Sequence, residues 1–359
     1  MTSRERLIAS LRGEPIDRLF RYEHGPWPTT YQRWLNEGLP ANVPLNDFFQ
    51  MDAIVRIMIN SGYTESPYHP KFVATTLEEA GDHRVFIDTD GIQKKILRER
   101  SDTSMPEFLK FPVADRADWP AILARLNPAD ASARITDRAR WVAACADPHV
   151  PTMLPICGAF GHPRNLLGDE GLAYLMFDDP TLFGEMLDNW RDLYVALLRE
   201  LTRDVRVDVL LIWEDMCYKN GPLMSPAQFR RFMSPRYRHV IAAAREVGVA
   251  AVIVDTDGDC RSMIPVFLDD GADCVMPFEV QAGMDVVQLR KEFPALTIMG
   301  GLDKRALAAD RAAIRAEVDR VLPHFAGKTR FIPTLDHTVP PNVSLANYQY
   351  YLECVRGYE

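Results

Sequence analysis

The stretch "VIVDTDGDC", residues 252–260, joins an apolar run to three acids spaced one residue apart. Its first three residues suit a strand that is buried on both faces, which is typical of a parallel sheet. Asp255 and Asp257 point to the same side of such a strand, because strand side chains alternate between the two faces. The stretch therefore predicts a buried strand whose carboxyl end carries two neighbouring acids.

Seven further apolar runs resemble this one, each too short for a helix and rich in β-forming residues. The eight runs are 18–24, 52–59, 152–158, 208–215, 250–257, 273–279, 296–303 and 330–337. Amphipathic helices separate the later runs, as shown by Leu182, Met186 and Trp190 at helical spacing. With no dinucleotide glycine fingerprint, this alternation predicts an α/β fold, a single (β/α)8 TIM barrel over residues 1–359.

The segment from about 60 to 135 fits the barrel pattern least well. Within it, "HRVFIDTDGIQKKILRER", residues 83–100, has two β-rich arms around the turn pair Asp90-Gly91. This arrangement predicts a hairpin. We interpret the segment as an N-terminal elaboration on the barrel.

Composition narrows the environment and the partners. The chain has 359 residues, 47% hydrophobic and 25% charged, as expected of a globular protein. A net charge of -9 and scattered basic residues argue against a nucleic-acid partner. No run approaches the roughly 18 apolar residues of a membrane span. Six cysteines without a C-x-x-C pair, and a charged N-terminal stretch without a signal core, predict a cytoplasmic protein.

Polar residues follow several of the apolar runs, and the carboxyl ends of barrel strands form the active-site face. These residues are Glu23, His24, Glu214, Asp215, Asp255, Asp257, Glu279, Asp303, Asp336 and His337. Clustered carboxylates repel one another unless a cation, a basic side chain or a shared proton compensates. Three carboxylates with a neutral histidine give a charge of about -3, so an empty site is expected to protonate a carboxylate or turn its side chains outward.

Structural roles for the same residues stay open at this point. Asp257-Gly258 is a common turn pair, Asp255 is a candidate helix cap, and Asp259 suits the first turn of a helix. Glu214 is a candidate for a salt bridge to Lys219 or Arg164 across the rim of the barrel. Glu279 is a candidate N-cap or ion-pair partner, and His337 a candidate buried structural histidine.

The chain also resembles a known superfamily. The motifs that carry the resemblance include "RERLIASLRGEPIDR", "LLGDEGLAYLMFDDP", "DTDGD", "PFEVQAGMDV", "GGLDKRAL" and "LDHTVPPNVSLANYQYYL", in this order along almost the whole chain. They are similar to the uroporphyrinogen decarboxylase superfamily, particularly its divergent branch. The resemblance implies a (β/α)8 barrel. That superfamily includes decarboxylases of uroporphyrinogen and methyltransferases that exchange methyl groups with a corrinoid protein.

One departure from the family pattern concerns the substrate. The decarboxylases carry an arginine-rich R-Q-A-G-R-Y loop that grips the carboxylates of the tetrapyrrole, whereas this chain has "RYEHGPWPTTYQRW" after its first strand. Arg21 and Arg33 remain, but Glu23 is expected to repel the acetate and propionate arms. We therefore do not expect a porphyrinogen substrate.

A second departure concerns the metal. The methyltransferases of the superfamily hold zinc with an H-x-C pair and a later cysteine, sometimes with a glutamate between them. The matching positions here are Asp255 and Asp257, then Glu279, then His337. The resemblance thus implies a metal site formed by these four residues. Carboxylates and one imidazole suit Zn2+ or a harder divalent ion such as Mn2+ or Fe2+.

The resulting hypothesis is a corrinoid-linked methyltransferase that acts on a small methylated ether, amine or thioether and works with a corrinoid carried by a partner protein. Its predicted catalytic residues are Asp257, His337 and Glu214; its predicted substrate-binding residues are Glu23, His24, Trp27, Trp213 and Tyr218. One alternative is a cofactor-free decarboxylase in which an acid such as Asp257 stabilises a protonated ring. Another is a non-catalytic tetrapyrrole-binding paralogue. A second copy of the chain, forming a homodimer, is a further candidate partner.

Overall fold

The computed structural model describes residues 1–98, 105–325, 327 and 329–358. The strands in these residues are β1 (Val55–Arg56), β2 (Thr75–Ala80), β3 (His83–Ile87), β4 (Gln93–Leu97), β5 (Glu107–Lys110), β6 (Thr152–Cys157), β7 (Val209–Trp213), β8 (Cys217–Tyr218), β9 (Gly221–Pro222), β10 (Ala251–Thr256), β11 (Cys274–Pro277), β12 (Thr297–Met299) and β13 (Phe331–Ile332). Seven of them pair in parallel in the order β1-β6-β7-β10-β11-β12-β13.

Helices connect these strands on the outside of the sheet. They are α1 (Ser3–Arg12), α2 (Pro28–Asn36), α3 (Leu45–Phe48), α4 (Trp119–Arg125), α5 (Ala131–Arg134), α6 (Arg138–Ala144), α7 (Gly161–Asp178), α8 (Pro180–Leu201), α9 (Pro226–Phe232), α10 (Ser234–Glu246), α11 (Ile264–Asp270), α12 (Val286–Glu292), α13 (Lys304–Ala308), α14 (Arg311–Val321) and α15 (Leu345–Arg356). The alternation of strands with helices confirms the predicted α/β fold of the TIM-barrel type.

The parallel strands are buried on both faces, as their continuous apolar runs predict. In β10, Val252 and Val254 pack outward into the large core shared with the helices. Ala251 and Ile253 instead join an interior cluster with residues of the other strands. That interior cluster comprises Leu7, Leu11, Phe20, Tyr22, Met153, Val209, Leu211, Ala251, Ile253, Cys274, Met276, Met299 and Ile332.

The predicted first strand, residues 18–24, is not a regular strand, although it occupies the place of one. The amide of Asp52 donates to the carbonyl of Arg21 (2.9 Å), which joins the segment to the chain just before β1. On its other side the amide of Leu335, beyond β13, donates to the carboxylate of Glu23 (3.1 Å). Phe20 and Tyr22 enter the interior cluster, so this segment completes the wall between β13 and β1.

Helix α1 covers the amino-terminal end of the barrel. Leu7 and Leu11 belong to the interior cluster, and the hydroxyl of Thr297 donates to the carbonyl of Leu11 (2.8 Å). A capping box formed by Thr2 and Glu5 fixes the start of this helix. Solvent therefore reaches the interior from the carboxyl ends of the strands, which form the mouth of the barrel.

The predicted hairpin is confirmed and is part of a larger sheet. Strands β3 and β4 pair antiparallel, with Ile87 opposite Gln93, and β2 and β5 extend them to four strands. Asp90 and Gly91 lie in the connecting turn, where Gly91 adopts a φ of 75°. The last two residues of the predicted hairpin, 99 and 100, lie outside the described residues. In the described part of the chain, we find no helix with the length and apolar character needed to cross a membrane.

Candidate active site at the mouth of the barrel

Asp255 lies at the centre of the mouth. It follows Ile253 on the inner face of β10, and it pairs in register with Trp213 on one side and Met276 on the other. The structure describes no hydrogen bond to its carboxylate, and the side chain is half-buried. Burial, followed by the charges of Asp257 and Asp215, raises the pKa of Asp255 to about 8. Asp255 is therefore largely protonated at neutral pH.

Asp257 and His337 form a pair at the rim of the mouth. His337 Nε2 lies 3.6 Å from Asp257 Oδ2, and the two side chains are about one-third exposed, at 32% and 38%. The contact with Asp257 raises the pKa of His337. The indole of Trp27 stacks on the imidazole, with ring centroids 6.4 Å apart. Asp257 and His337, both predicted to follow strand ends, lie together at the mouth, and the roles predicted for them stay predictions.

Glu279 and Asp336 both lie near the side-chain ammonium group of Lys304. The ammonium of Lys304 lies 3.5 Å from Glu279 Oε1 and 3.7 Å from Asp336 Oδ1. Asp336 is fully buried and also accepts from the amides of Lys304 and Val280, both at 3.0 Å. Glu279 accepts from the amide of Gly258 (3.1 Å). Lys304 begins α13 directly after β12, so the sequence "GGLDK" delivers its side chain to the mouth.

The four predicted metal ligands do not fit a metal as they are arranged. No three His, Cys, Asp or Glu side chains among the described residues converge closely enough to hold one. Asp257 is paired with His337, and Glu279 is paired with Lys304, so two of the acids already have a counter-charge. The metal site stays a prediction, and Lys304 offers another way to neutralise the same acids.

Lys304 allows a direct test of that prediction. We expect a chelator or added Zn2+ to leave the melting temperature of the wild-type protein unchanged, because an ammonium group already neutralises Glu279 and Asp336. Lys304→Met is expected to lose about 1–3 kcal/mol of stability, since it leaves the buried Asp336 without a cation, and to gain stability from Zn2+. Lys304→Arg is the control that keeps the charge. Stoichiometric metal in wild-type protein, with a lower melting temperature after chelation, would contradict this expectation.

Glu214 requires a correction, because it does not line the mouth. Its neighbour Trp213 points inward, so Glu214 points outward from the sheet toward the start of α7. Its side chain is fully buried and accepts from the amides of Ala159 and Phe160, both at 2.8 Å. Burial raises its pKa to about 7. Glu214 is therefore an anchor for the strand-to-helix connection, and in the part of the chain that the structure describes it forms none of the expected salt bridges to Lys219 or Arg164.

Glu23 and His24 differ in their surroundings. Glu23 accepts from the hydroxyl of Tyr351 (2.7 Å) and from the amide of Leu335, and burial raises its pKa to about 8. A protonated Glu23 repels a carboxylate less than an ionised one, so the prediction against a porphyrinogen substrate depends mainly on the missing arginine-rich loop. His24 lies edge-on to Tyr22 (5.8 Å), and burial lowers its pKa to about 4, so the imidazole is neutral.

A cleft of about 440 Å³ opens beside the mouth, between the barrel and the four-stranded sheet. Trp213 and Tyr63 form its inner wall in an edge-to-face contact with centroids 5.7 Å apart. Arg164 also lines it and contacts both Asp215 (3.2 Å) and the ring of Trp213 (5.8 Å). Asp255 does not line the cleft itself, but it pairs in register with Trp213, and its charge acts on Tyr63, so both aromatic residues of the inner wall are neighbours of the central acid. Tyr218, the remaining predicted contact, is 65% exposed on the outer rim.

Four residues were not predicted as members of the site: Arg56, Tyr63, Lys304 and Arg164, the last of which was expected only as a candidate salt-bridge partner of Glu214. Arg56 is the one with a clear signal, because it interrupts the apolar run of 52–59 with a charge. Tyr63 and Arg164 follow strands at some distance along loops and helices, where no periodic pattern marks them. Lys304 directly follows an acid at a strand end, and this pairing of opposite charges was the available signal.

The parallel barrel and its acid-lined mouth define a class of α/β proteins whose functional site lies at the carboxyl ends of the strands. Residues 100–358 match the model of the family described as Uroporphyrinogen decarboxylase (URO-D). The chain belongs to this family, which confirms the predicted superfamily. The prediction of one domain over residues 1–359 stays a prediction.

Two groups of known proteins are similar to the chain. A uroporphyrinogen decarboxylase of Thermus thermophilus is 26% identical over 193 residues, covering 51% of this chain and 50% of the relative. That of Hydrogenobaculum sp. is 30% identical over 214 residues, covering 56% and 59%. The chain thus spans about half the length of these curated relatives. A solved methyltransferase from Methanosarcina mazei covers 100% of this chain and 99% of its own, with a TM-score of 0.67 and 16% identity, and shows the shared fold.

Proposed function

We propose that the protein is an acid-assisted methyltransferase of this family, which transfers a methyl group from a small methylated substrate to a corrinoid carried by a partner protein. The observation that carries the proposal is the position of Asp255, an acid without a hydrogen-bond partner among the described residues, on the strand next to Trp213, which lines the cleft together with Tyr63. Its raised pKa keeps a proton available at neutral pH.

The chemistry assigned to Asp255 is proton donation to a leaving group. The bond between the methyl carbon and the substrate oxygen, nitrogen or sulfur breaks, and its electron pair stays on that heteroatom. The heteroatom takes the proton of Asp255, and a reduced corrinoid presented at the mouth would supply the electron pair with which the methyl group is accepted. Asp255 is left as a carboxylate and is protonated again from solvent. Trp213 and Tyr63 orient the substrate and exclude water from one side of the site.

The rim of the mouth suits the docking of a partner. Trp27 is 41% exposed and stacks on His337, and Tyr218 is 65% exposed. The main chain at Tyr218 packs directly over Gly258, where a Cβ atom would lie 2.6 Å from it. Exposed aromatic side chains around a site are typical of protein contacts. We assign this rim to the corrinoid protein.

Decarboxylation is the second candidate, and the names of the curated relatives favour it. In that reaction the carbon–carboxylate bond breaks, carbon dioxide leaves, and the carbon that keeps the electron pair takes the proton of Asp255. Uroporphyrinogen itself is a poor fit, because the cations Arg164 and Lys304 are already paired with acids of the chain. A smaller carboxylated substrate suits the cleft, whose volume is within the usual range for small ligands.

Two assays on the same protein separate these functions. In the first, reduced free cobalamin is mixed with methylated ethers, amines and thioethers, and its methylation is followed by absorbance. In the second, uroporphyrinogen is supplied and coproporphyrinogen is measured. We expect methylation in the first and no turnover near about 1 per second in the second. Efficient formation of coproporphyrinogen would replace the proposal by the decarboxylase, and tetrapyrrole binding without either reaction would identify a non-catalytic paralogue.

A further inference from the structure

Arg56 is a charged residue on the inner surface of the barrel. In β1 it pairs in register with Met153, a member of the interior cluster, and Ile54 on the same face packs against that cluster. Its guanidinium lies over the ring of Tyr22, 5.5 Å from the centroid. Since α1 covers the opposite end of the barrel, Arg56 meets solvent and ligands through the mouth.

Among the residues that the structure describes, no acid lies within ion-pair distance of Arg56 and no acceptor bonds to it; the charge of Arg56 acts on Asp255 only from beyond that distance. The other cations around the site are paired: Arg164 with Asp215 at 3.2 Å, Lys304 with Glu279 at 3.5 Å and Lys94 with Asp88 at 2.5 Å. A half-buried guanidinium without an acid partner is costly, and natural proteins keep such groups where a ligand supplies the missing charge.

We infer that Arg56 is a specificity-determining residue that binds a carboxylate of the substrate inside the barrel. Arginine suits this role because its planar fork donates two parallel hydrogen bonds to a carboxylate. Tyr22 already stacks on the guanidinium and holds it in place. The chemical class of substrate is therefore a small molecule that carries a carboxylate as well as its reacting group. The inference rests on the proposed function only in placing the substrate at the mouth.

Equilibrium binding tests this inference without turnover. The probe is benzoate, with benzamide as its uncharged analogue, and the readout is the melting temperature of the full chain. We expect benzoate at millimolar concentration to raise the melting temperature of the wild type while benzamide does not. Arg56→Met is expected to lose this response, Arg56→Lys to keep part of it, and Arg230→Met, which changes an exposed arginine of α9 paired with Asp269, to keep all of it.

The stability of the variant without ligand separates binding from a structural role. If Arg56 serves a ligand, Arg56→Met removes an unpaired charge and is expected to melt at the wild-type temperature or above it. A strongly lowered melting temperature of Arg56→Met would overturn the inference, and so would an equal response to benzoate and benzamide or an unchanged benzoate response in Arg56→Met. If both reaction assays fail but benzoate binding still depends on Arg56, the proposed function is rejected and the inference about Arg56 stands.

Discussion

Replacing Asp255 with asparagine is expected to lower turnover by about 10²- to 10⁴-fold, the usual contribution of a positioned acid. Asparagine keeps the size of the side chain but cannot supply a proton to a leaving group. The same loss is expected for methyl transfer and for decarboxylation, because both take a proton from this position. The measurement is kcat on whichever substrate the two assays identify.

The same substitution is expected to make the stability of the folded protein less dependent on pH. The pKa of Asp255 in the folded protein, about 8, lies above the value of an unperturbed aspartate. A group raised in this way contributes stability that is fully present below its unfolded pKa and is lost as the pH rises through the folded pKa. The wild type should therefore lose stability between about pH 4 and pH 8, and Asp255→Asn should lose less over the same range.

The neighbours of Asp255 shape this comparison. The pKa of Asp255 also depends on the charges of Asp257, Asp215, Arg56 and His337. The quantity to measure is therefore the difference between the stability of the wild type and that of the variant at each pH. Asp259→Asn is the matched control, since Asp259 lies in the loop that follows β10 and accepts from the amide of Arg261 (3.1 Å). That control is expected to keep wild-type turnover. Turnover of Asp255→Asn within twofold of the control would rule out proton donation by Asp255.

The barrel was predictable because buried parallel strands leave a distinct pattern in the sequence. Runs such as 250–257 are apolar throughout, since one face packs on helices and the other fills the interior. The irregular conformation of segment 18–24, which was predicted as a strand, could not be foreseen from the sequence. It is joined to its neighbours partly through the side chains of Glu23 and Asp52, and no sequence rule distinguishes such a contact from a regular ladder.

The site was predictable in position but not in its charge pairing. Asp255, Asp257 and His337 meet at the mouth because the ends of parallel strands lie at one edge. Which acid meets which cation depends on side-chain conformations and on the loops after the strands, so Glu279 was a candidate ion-pair partner from the sequence but Lys304 was not identified as its cation. Glu214 was misassigned for a related reason. A strand alternates its faces, but the sequence alone did not tell that Trp213 and not Glu214 points inward.

Gly300 is the position where a single methyl group should have the largest effect on folding. It follows β12 with a φ of 125°, and a Cβ atom there would lie 1.9 Å from the carbonyl oxygen of Pro277. The next residue, Gly301, donates its amide to that same carbonyl (3.0 Å). The ends of β11 and β12 thus approach so closely that only glycine fits. This approach also sets the distance between Glu279, beyond β11, and Lys304, beyond β12.

Gly300→Ala is expected to lower the free energy of unfolding by about 3–5 kcal/mol, because it adds a clash with the main chain to an unfavourable φ. Gly283→Ala is the matched control: its φ is 85°, but nothing lies within 4 Å of a new Cβ atom. The control should cost about 1 kcal/mol, from the backbone conformation alone. Urea unfolding of the three proteins gives both values, and the difference between the variants isolates the close approach of the strand ends. Equal losses in the two variants would show that the strand ends separate easily, and that the pairing of Glu279 with Lys304 does not depend on their packing.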